Sequence, residues 1–149
     1  MQIRQFHPDD EPAVIALWER CGLLRPWNDP QADIARKLAV QPELFLVGEL
    51  DGTLVAAVMA GYDGHRGWLN YLAVEPDLQR RGLGSALVAE VERRLQARGC
   101  PKVNLQIRSE NAEVIAFYAE LGYREDAVIS MGKRLEPEHH PPPNEREDS

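Results

Sequence analysis

Cysteine is scarce in this chain of 149 residues: there are two, Cys21 and Cys100. They are neither close in sequence nor at a metal-type spacing, so they read as two small, partly buried thiols rather than a disulfide framework or a zinc site. Histidine is almost as rare. His139 and His140 adjoin each other in a Pro-rich stretch without ligand partners nearby, and no metal is assigned. Long apolar runs are missing too. None approaches the roughly 20 residues of a membrane span, so no membrane association is expected. Met1–Phe6 lacks the basic and then apolar regions of a signal peptide, which makes the cytoplasm the expected compartment. Nor is there a basic excess. The net charge is −7, and residues 136–149, with five acids against one base, carry four of those charges. An acidic body argues against nucleic-acid binding and is compatible with a cationic substrate.

The length suits one domain with one core. It is expected over residues 1–135, followed by an acidic, Pro-rich tail, 136–149, that has too little to bury and is expected to be disordered. Ile3–Phe6 alternates like a first strand. Val14, Leu17, Trp18 and Cys21 fall at i, i+3, i+4, i+7, the stripe of an amphipathic helix with Asp9 or Asp10 as cap and Pro12 in its first turn. Asp29 and Pro30 read as N-cap and first residue of a second helix, closed before Pro42. Leu44–Leu50 and Thr53–Tyr62 flank Asp51-Gly52, a strong hairpin signal. A second tight connection, Asp63–Gly67, leads into Trp68–Val74. A helix over Leu83–Arg98, a strand over Lys102–Arg108, a helix capped by Ser109 or Asn111 and running to Leu121, and a final strand or strand pair over Tyr123–Leu135 complete the chain. The order β-α-α-β-β-β-α-β-α-β implies an α/β (α+β) fold: a mixed, mostly antiparallel central sheet with helices on both faces.

Between the strand ending at Val74 and the helix starting at Leu83 lies Gln79-Arg80-Arg81-Gly82-Leu83-Gly84. A strand, a Gly-rich turn and a helix N-terminus together can hold an anion, because the first helical N–H groups lack partners and sit at the positive end of the dipole. Two familiar nucleotide sites do not fit. The glycines are too few for the dinucleotide fingerprint, and no Lys-Ser/Thr pair follows them as in a Walker A loop. Tight turns rather than helices join the second to fourth strands, which excludes a doubly wound Rossmann fold.

These residues resemble the GCN5-related N-acetyltransferases. Gln79–Gly84 matches that family's phosphate-binding signature, Gln/Arg-x-x-Gly-x-Gly/Ala. Leu72-Ala73-Val74-Glu75-Pro76 is similar to its fourth strand and exit turn. Asn111, Phe117-Tyr118 and Leu121-Gly122-Tyr123 match its second signature. Within the family, Leu23–Pro30, Gly61–Gly67 and Gly99–Lys102 look most like the small bacterial YpeA-type acetyltransferases, a branch without an assigned substrate. The resemblance implies acetyl-CoA as donor. Backbone N–H groups of Arg80, Arg81, Gly82, Leu83 and Gly84, with Ser85, would wrap the pyrophosphate beside Gln79. The fourth strand would be bulged and part from the fifth, the pantetheine arm would pair with backbone of Leu72 and Val74 around Ala73, and Asn111 would touch the arm.

The implied transfer needs a neutral amine, donors for an oxyanion, and an acid for the departing thiolate. A backbone N–H near Leu72–Val74 would serve the oxyanion, a contribution of roughly 2.7–4 kcal/mol. Periodicity alone favours reading Tyr118 as a packed core aromatic; the resemblance makes it the candidate acid. The base is not evident. Ribosomal-protein N-terminal acetyltransferases carry Leu-Glu-Val-Arg-x-x-Asn, whereas this chain has Leu105-Gln106-Ile107-Arg108-Ser109-Glu110-Asn111, and Gln106 cannot accept a proton. Asp63, His65, Glu75 or a water chain are the alternatives; His65 and Glu75 also read simply as polar turn residues. Arg25, Trp27 and Asn28, between the first two helices, are candidate acceptor-site residues, with Trp27 either an exposed platform or a core plug. Neither cysteine is expected near the pantetheine gap, so direct attack in a ternary complex is expected. The acceptor is a small-molecule amine or a peptide, a non-catalytic acyl-CoA-binding module is the rival reading, and monomer and homodimer stay equally open.

Overall fold

The computed structural model describes residues 1–137, so the expected tail falls almost entirely outside the described residues. The elements are β1 (Gln2–Gln5), α1 (Glu11–Arg20), α2 (Pro30–Ala39), β2 (Phe45–Leu50), β3 (Thr53–Tyr62), β4 (Gly67–Val74), α3 (Leu83–Ala97), β5 (Val103–Leu105) and α4 (Ala112–Glu120). The strands lie side by side in chain order, the first four antiparallel and β5 parallel to β4. This is the mixed, mostly antiparallel sheet that the sequence implied. The chain divides into two compact units, Met1–Leu105 and a second beginning at Gln106.

In the first unit local chemistry explains several boundaries. Asp29 accepts from the Ala32 N–H at 3.1 Å, with Pro30 as first helical residue, so α2 starts where expected. Asp10 stands at the start of α1 but does not cap it. Its carboxylate takes the His7 N–H at 2.8 Å and both terminal nitrogens of Arg4 at 2.8 and 2.9 Å. Asp51 and Gly52 both have positive φ, +50° and +78°, as the two-residue hairpin turn between β2 and β3 requires.

The pleat then sorts the core. Phe45, Val47, Ala57, Met59 and Ala73 share one buried cluster with Val14, Leu17 and Trp18 of α1, Ile34 of α2, and Phe6. The Phe6 and Phe45 rings stack 4.2 Å apart. Strand neighbours pointing the other way, Leu46, Val58 and Ala60, are equally buried, as are Leu87, Val88, Val91 and Leu95 of α3. At Gly67, a Cβ would lie 2.9 Å from both Cys100 Sγ and Leu95 Cδ1, so any other residue would have to push these side chains aside where β4 begins beside β5.

The second unit is smaller. Asn111 caps α4, its side chain accepting from the Val114 N–H at 3.3 Å. Tyr118 is buried, with Phe117 and Tyr123 edge-on at 5.0 and 5.3 Å. Two expectations need correction. The strand placed at Lys102–Arg108 covers only Val103–Leu105. No strand forms after Tyr123 among the described residues: Val128, Ile129, Met131 and Leu135 are 78–91% exposed. A strand needs a ladder partner and a buried face, and among the described residues this segment has neither. Ile115 of α4, an apolar residue in the middle of the helix, is likewise exposed.

Replacing Phe45, fully buried and stacked on Phe6, should be costly. Phe45→Ala is expected to lower the unfolding free energy by about 3–5 kcal/mol; chemical denaturation checks this, and a loss below about 1 kcal/mol would remove Phe45 from the core account.

Candidate functional site

β4 carries the site. It pairs with β5 only through Gly67, Trp68 and Leu69, opposite Val103, Asn104 and Leu105, and runs five residues further, to Val74. On its other side it stays with β3, Ala73 opposite Ala57 and Asn70 opposite Met59. Three steps on β4 thus span two on β3, which places a β-bulge at Tyr71-Leu72. Tyr71 has φ +55°, the left-handed region that bulky residues avoid.

Beyond the bulge the backbone directions follow from one bond. The Glu75 N–H donates to the Val55 carbonyl at 2.8 Å, toward β3. Alternation then turns the groups of Val74 to the opposite edge. There its carbonyl accepts from Gln79 Nε2 at 3.1 Å and from Cys21 Sγ at 3.2 Å. So Leu72 and Val74 present backbone on the edge that β5 has left, and the first residue of the glycine signature is tied to it.

The glycine turn itself is held by two left-handed residues, Arg80 (φ +64°) and Gly82 (φ +82°). Gly82 stands at the N-cap of α3, no side chain caps that helix, and its first turn holds no acid. α2 and α4 both have a side-chain cap. The N–H groups opening α3 therefore keep their capacity for an external anion. Arg80, Arg81 and Gly82 are exposed; Leu83, Gly84 and Ser85 are half-buried.

The remaining candidates divide. Asn28 is half-buried and its Nδ2 donates to the Tyr71 hydroxyl at 3.1 Å. Arg25 is exposed and Trp27 is 38% exposed, a platform more than a plug. Asp63 accepts from the N–H groups of His65 and Arg66 at 2.8 and 2.7 Å and from Trp68 Nε1 at 3.2 Å. These donors, the backbone of Arg66 foremost, hold its carboxyl below the usual range. A carboxylate stabilised in its charged form is a poor proton acceptor. Glu75 is committed as well, gripped by Arg20 at 3.0 and 2.6 Å. His65 is exposed in its turn. The sequence placed Cys21 away from β4, yet its thiol rests on the Val74 carbonyl; burial pushes that thiol up, keeping it protonated.

In the second unit, burial pushes the Tyr118 phenol up to about 12. The Asn111 oxygen is spent on the cap, so a ligand contact there would fall to Nδ2. Gln106 donates to the Ser130 hydroxyl.

Sequence reasoning missed Tyr71. Its ring stacks on Trp18 at 4.1 Å, and its hydroxyl donates to Asp33 Oδ2 at 2.8 Å. Burial, then the Asp33 carboxylate, pushes this phenol up to about 12. Nothing in a strand pattern marks a residue for positive φ, so no sequence signal pointed to it.

A mixed sheet whose fourth and fifth strands part beside a glycine-opened helix is the scaffold of the N-acyltransferases. The sequence model of the acetyltransferase (GNAT) family matches residues 12–123, and the chain belongs to that family. An acetyltransferase of Pectobacterium atrosepticum is 55% identical over 135 residues, covering 91% of this chain and 96% of its own. The ribosomal-protein-S18-alanine N-acetyltransferase of Escherichia coli is 27% identical, with a TM-score of 0.72 over 85% of this chain and 79% of the other. An aminoglycoside 6'-N-acetyltransferase, AAC(6')-Iy, solved with a CoA-linked bisubstrate analogue, superposes with a TM-score of 0.73 over 90% of this chain and 98% of its own; at 22% identity it speaks for the fold alone. The protein is an acetyltransferase.

The Asp63 turn carries a pH signature. Its folded pKa is depressed, so the turn's contribution is present above the ordinary carboxyl value of 3.8 and is lost as pH falls through the lower folded value. A carboxyl ¹³C titration of Asp63 is expected to give a midpoint below 3.8. A midpoint above 5, where a working base would titrate, would return Asp63 to the candidates.

Proposed function

We propose that this acetyltransferase moves acetyl from acetyl-CoA to a primary amine, by direct attack in a ternary complex, in the cytoplasm. The observation that carries the reading is the conjunction, within one unit, of a bared β4 edge at Leu72–Val74 and an uncapped α3 N-terminus, joined by Gln79. A long ligand with an anionic pyrophosphate and an amide-bearing arm matches both ends. Small amines or amino-acid-like metabolites are the favoured acceptors. Gln106 in place of a glutamate speaks against glutamate-based acetylation of protein N-termini.

Bound acetyl-CoA would supply a thioester whose carbonyl carbon an amine can attack and whose sulfur can leave. Backbone N–H groups from Arg80 to Ser85 hold the pyrophosphate, and the exposed Arg80 and Arg81 add charge. Backbone of Leu72 and Val74 holds the arm, with Ala73 between them; Asn111 adds a contact through Nδ2. An N–H of the Leu72–Val74 stretch receives the carbonyl oxygen as negative charge develops on it. Tyr118 gives its proton to the departing sulfur. A phenol at about 12 makes that transfer uphill even onto a fully formed thiolate, whose thiol lies near 8.5, so Tyr118 assists chiefly through the hydrogen bond it donates as charge builds on the sulfur. Asp63 and Glu75 are engaged carboxylates, so the amine's proton leaves through water, with His65 the titratable side chain on that route. Cys21 is held as a thiol, and a protonated sulfur is a weak nucleophile, so no acetyl-enzyme is formed. Arg25, Trp27 and Asn28 border the acceptor.

Isothermal titration is expected to give acetyl-CoA a Kd below about 1 mM; no binding at that level would sink the donor assignment. Thiol release over a panel of small amines and peptides then identifies the acceptor class. With that acceptor, Tyr118→Phe should lower kcat on the order of 100-fold with little change in KM. Because its phenol keeps its proton to about 12, Tyr118 should impose no alkaline fall in rate below about pH 10. Full turnover in the variant would reject Tyr118 as the acid.

A further inference from the structure

Tyr71 carries two unexplained costs. Its backbone is left-handed inside a strand, a conformation that L-residues avoid. The second lies in its partner. The phenol has one hydrogen, and the Asp33 carboxylate, which can only accept, takes it at 2.8 Å. Asn28 must therefore turn its nitrogen to the phenol, at 3.1 Å. That leaves Asn28 Oδ1 buried and without a hydrogen-bond partner, a desolvation cost that nothing returns. Packing alone requires neither. A phenylalanine would keep the stack on Trp18, and a strand without the bulge would need no left-handed residue. Strain of this kind persists where surrounding contacts over-determine it, and such places cluster at working sites.

The contacts come from three directions. Trp18 belongs to α1 and is fully buried, Asn28 to the link between α1 and α2, and Asp33 to α2, where Arg36 also holds its carboxylate. All converge on the residue at which β4 gains its extra step over β3. A bulge re-aims the residues beyond it, and a one-residue slip would reverse every later backbone and side-chain direction. The register fixed at Tyr71 thus decides whether Leu72 and Val74 face the bared edge or face β3.

We infer that Tyr71 is a positioning residue for acetyl transfer: its hydroxyl, clamped between Asn28 and Asp33, holds the β4 bulge in the register that aims the Leu72–Val74 backbone at the reacting carbonyl. The inference rests on the reading of that edge as the donor channel. It also links the two substrates' sides, since Asn28 lies in the segment assigned to the acceptor.

The test compares the full-length protein with Tyr71→Phe, which keeps the ring, and Asn28→Ala, which removes one of the two bonds. In the ligand-free proteins, the ¹⁵N–¹H resonances of Leu72, Ala73 and Val74 should shift while those of β1 and β2 stay. Acetyl-CoA affinity by titration should fall by less than about tenfold, because the arm loses its alignment on Leu72 and Val74 while the untouched α3 turn still holds the pyrophosphate. Thiol release, per folded molecule, should fall about 10–100-fold in kcat, the scale of a small misplacement of reacting groups. The double variant should be no slower than the worse single one, because both remove the same clamp. Unchanged Leu72–Val74 resonances in both variants, or shifted resonances with wild-type kcat, would overturn the positioning role. Wild-type protein that fails to bind acetyl-CoA would instead strike the donor assignment, and the resonance comparison would still judge the clamp.

Discussion

After Leu69, β4 loses β5 on one side and keeps β3 on the other. Much of the first unit's arrangement stems from that asymmetry. A strand with one bare edge inside a protein needs something to pair with, because buried backbone N–H and C=O groups are costly to leave unmatched. The chain supplies only part of the answer: Val74 receives Gln79 and Cys21. The bulge at Tyr71 sets which groups face the bare edge, and the turn from Gln79 to Gly84 brings an uncapped helix start to its far end. One departure from regular pairing thus bares the strand edge beside which α3 opens.

The first unit's carboxylates that could serve as bases are spoken for. Asp63 is ringed by donors, Glu75 is locked to Arg20, and Asp33 takes both Tyr71 and Arg36. Carboxylates so engaged organise backbone and helices, and Asp63 is held in its charged form. Cys21 and Tyr118 are shifted the opposite way, by burial, and both retain their protons. The protein therefore offers donors and fixed dipoles more than bases, which suits an enzyme that aligns a reactive thioester and leaves deprotonation of the amine to solvent.

How much of this was legible beforehand depended on the reach of each signal. Local signals served well: Asp29-Pro30 gave the start of α2, Asp51-Gly52 the hairpin, and the Val14, Leu17, Trp18 spacing the buried face of α1. The glycine signature placed the turn between β4 and α3. Long-range features were not legible. Asp10 reads as a cap but is drawn off by Arg4. Cys21 looks remote from β4 in sequence yet touches Val74, because α1 ends over that strand's exit. The β-formers between Val128 and Leu135 look like a strand, but whether they pair depends on a neighbour, not on their own pattern. Tyr71, which gathers Trp18, Asn28 and Asp33, reads only as one more strand aromatic.

The most direct test of the account is a crystal structure with coenzyme A bound. The pyrophosphate is expected within hydrogen-bond distance of the N–H groups of residues 80–85, and the pantetheine amides on the backbone of Leu72 and Val74, with Tyr71 still left-handed. A pyrophosphate seated elsewhere, or an arm that leaves the β4 edge bare, would contradict the claim that this parted strand is the donor channel.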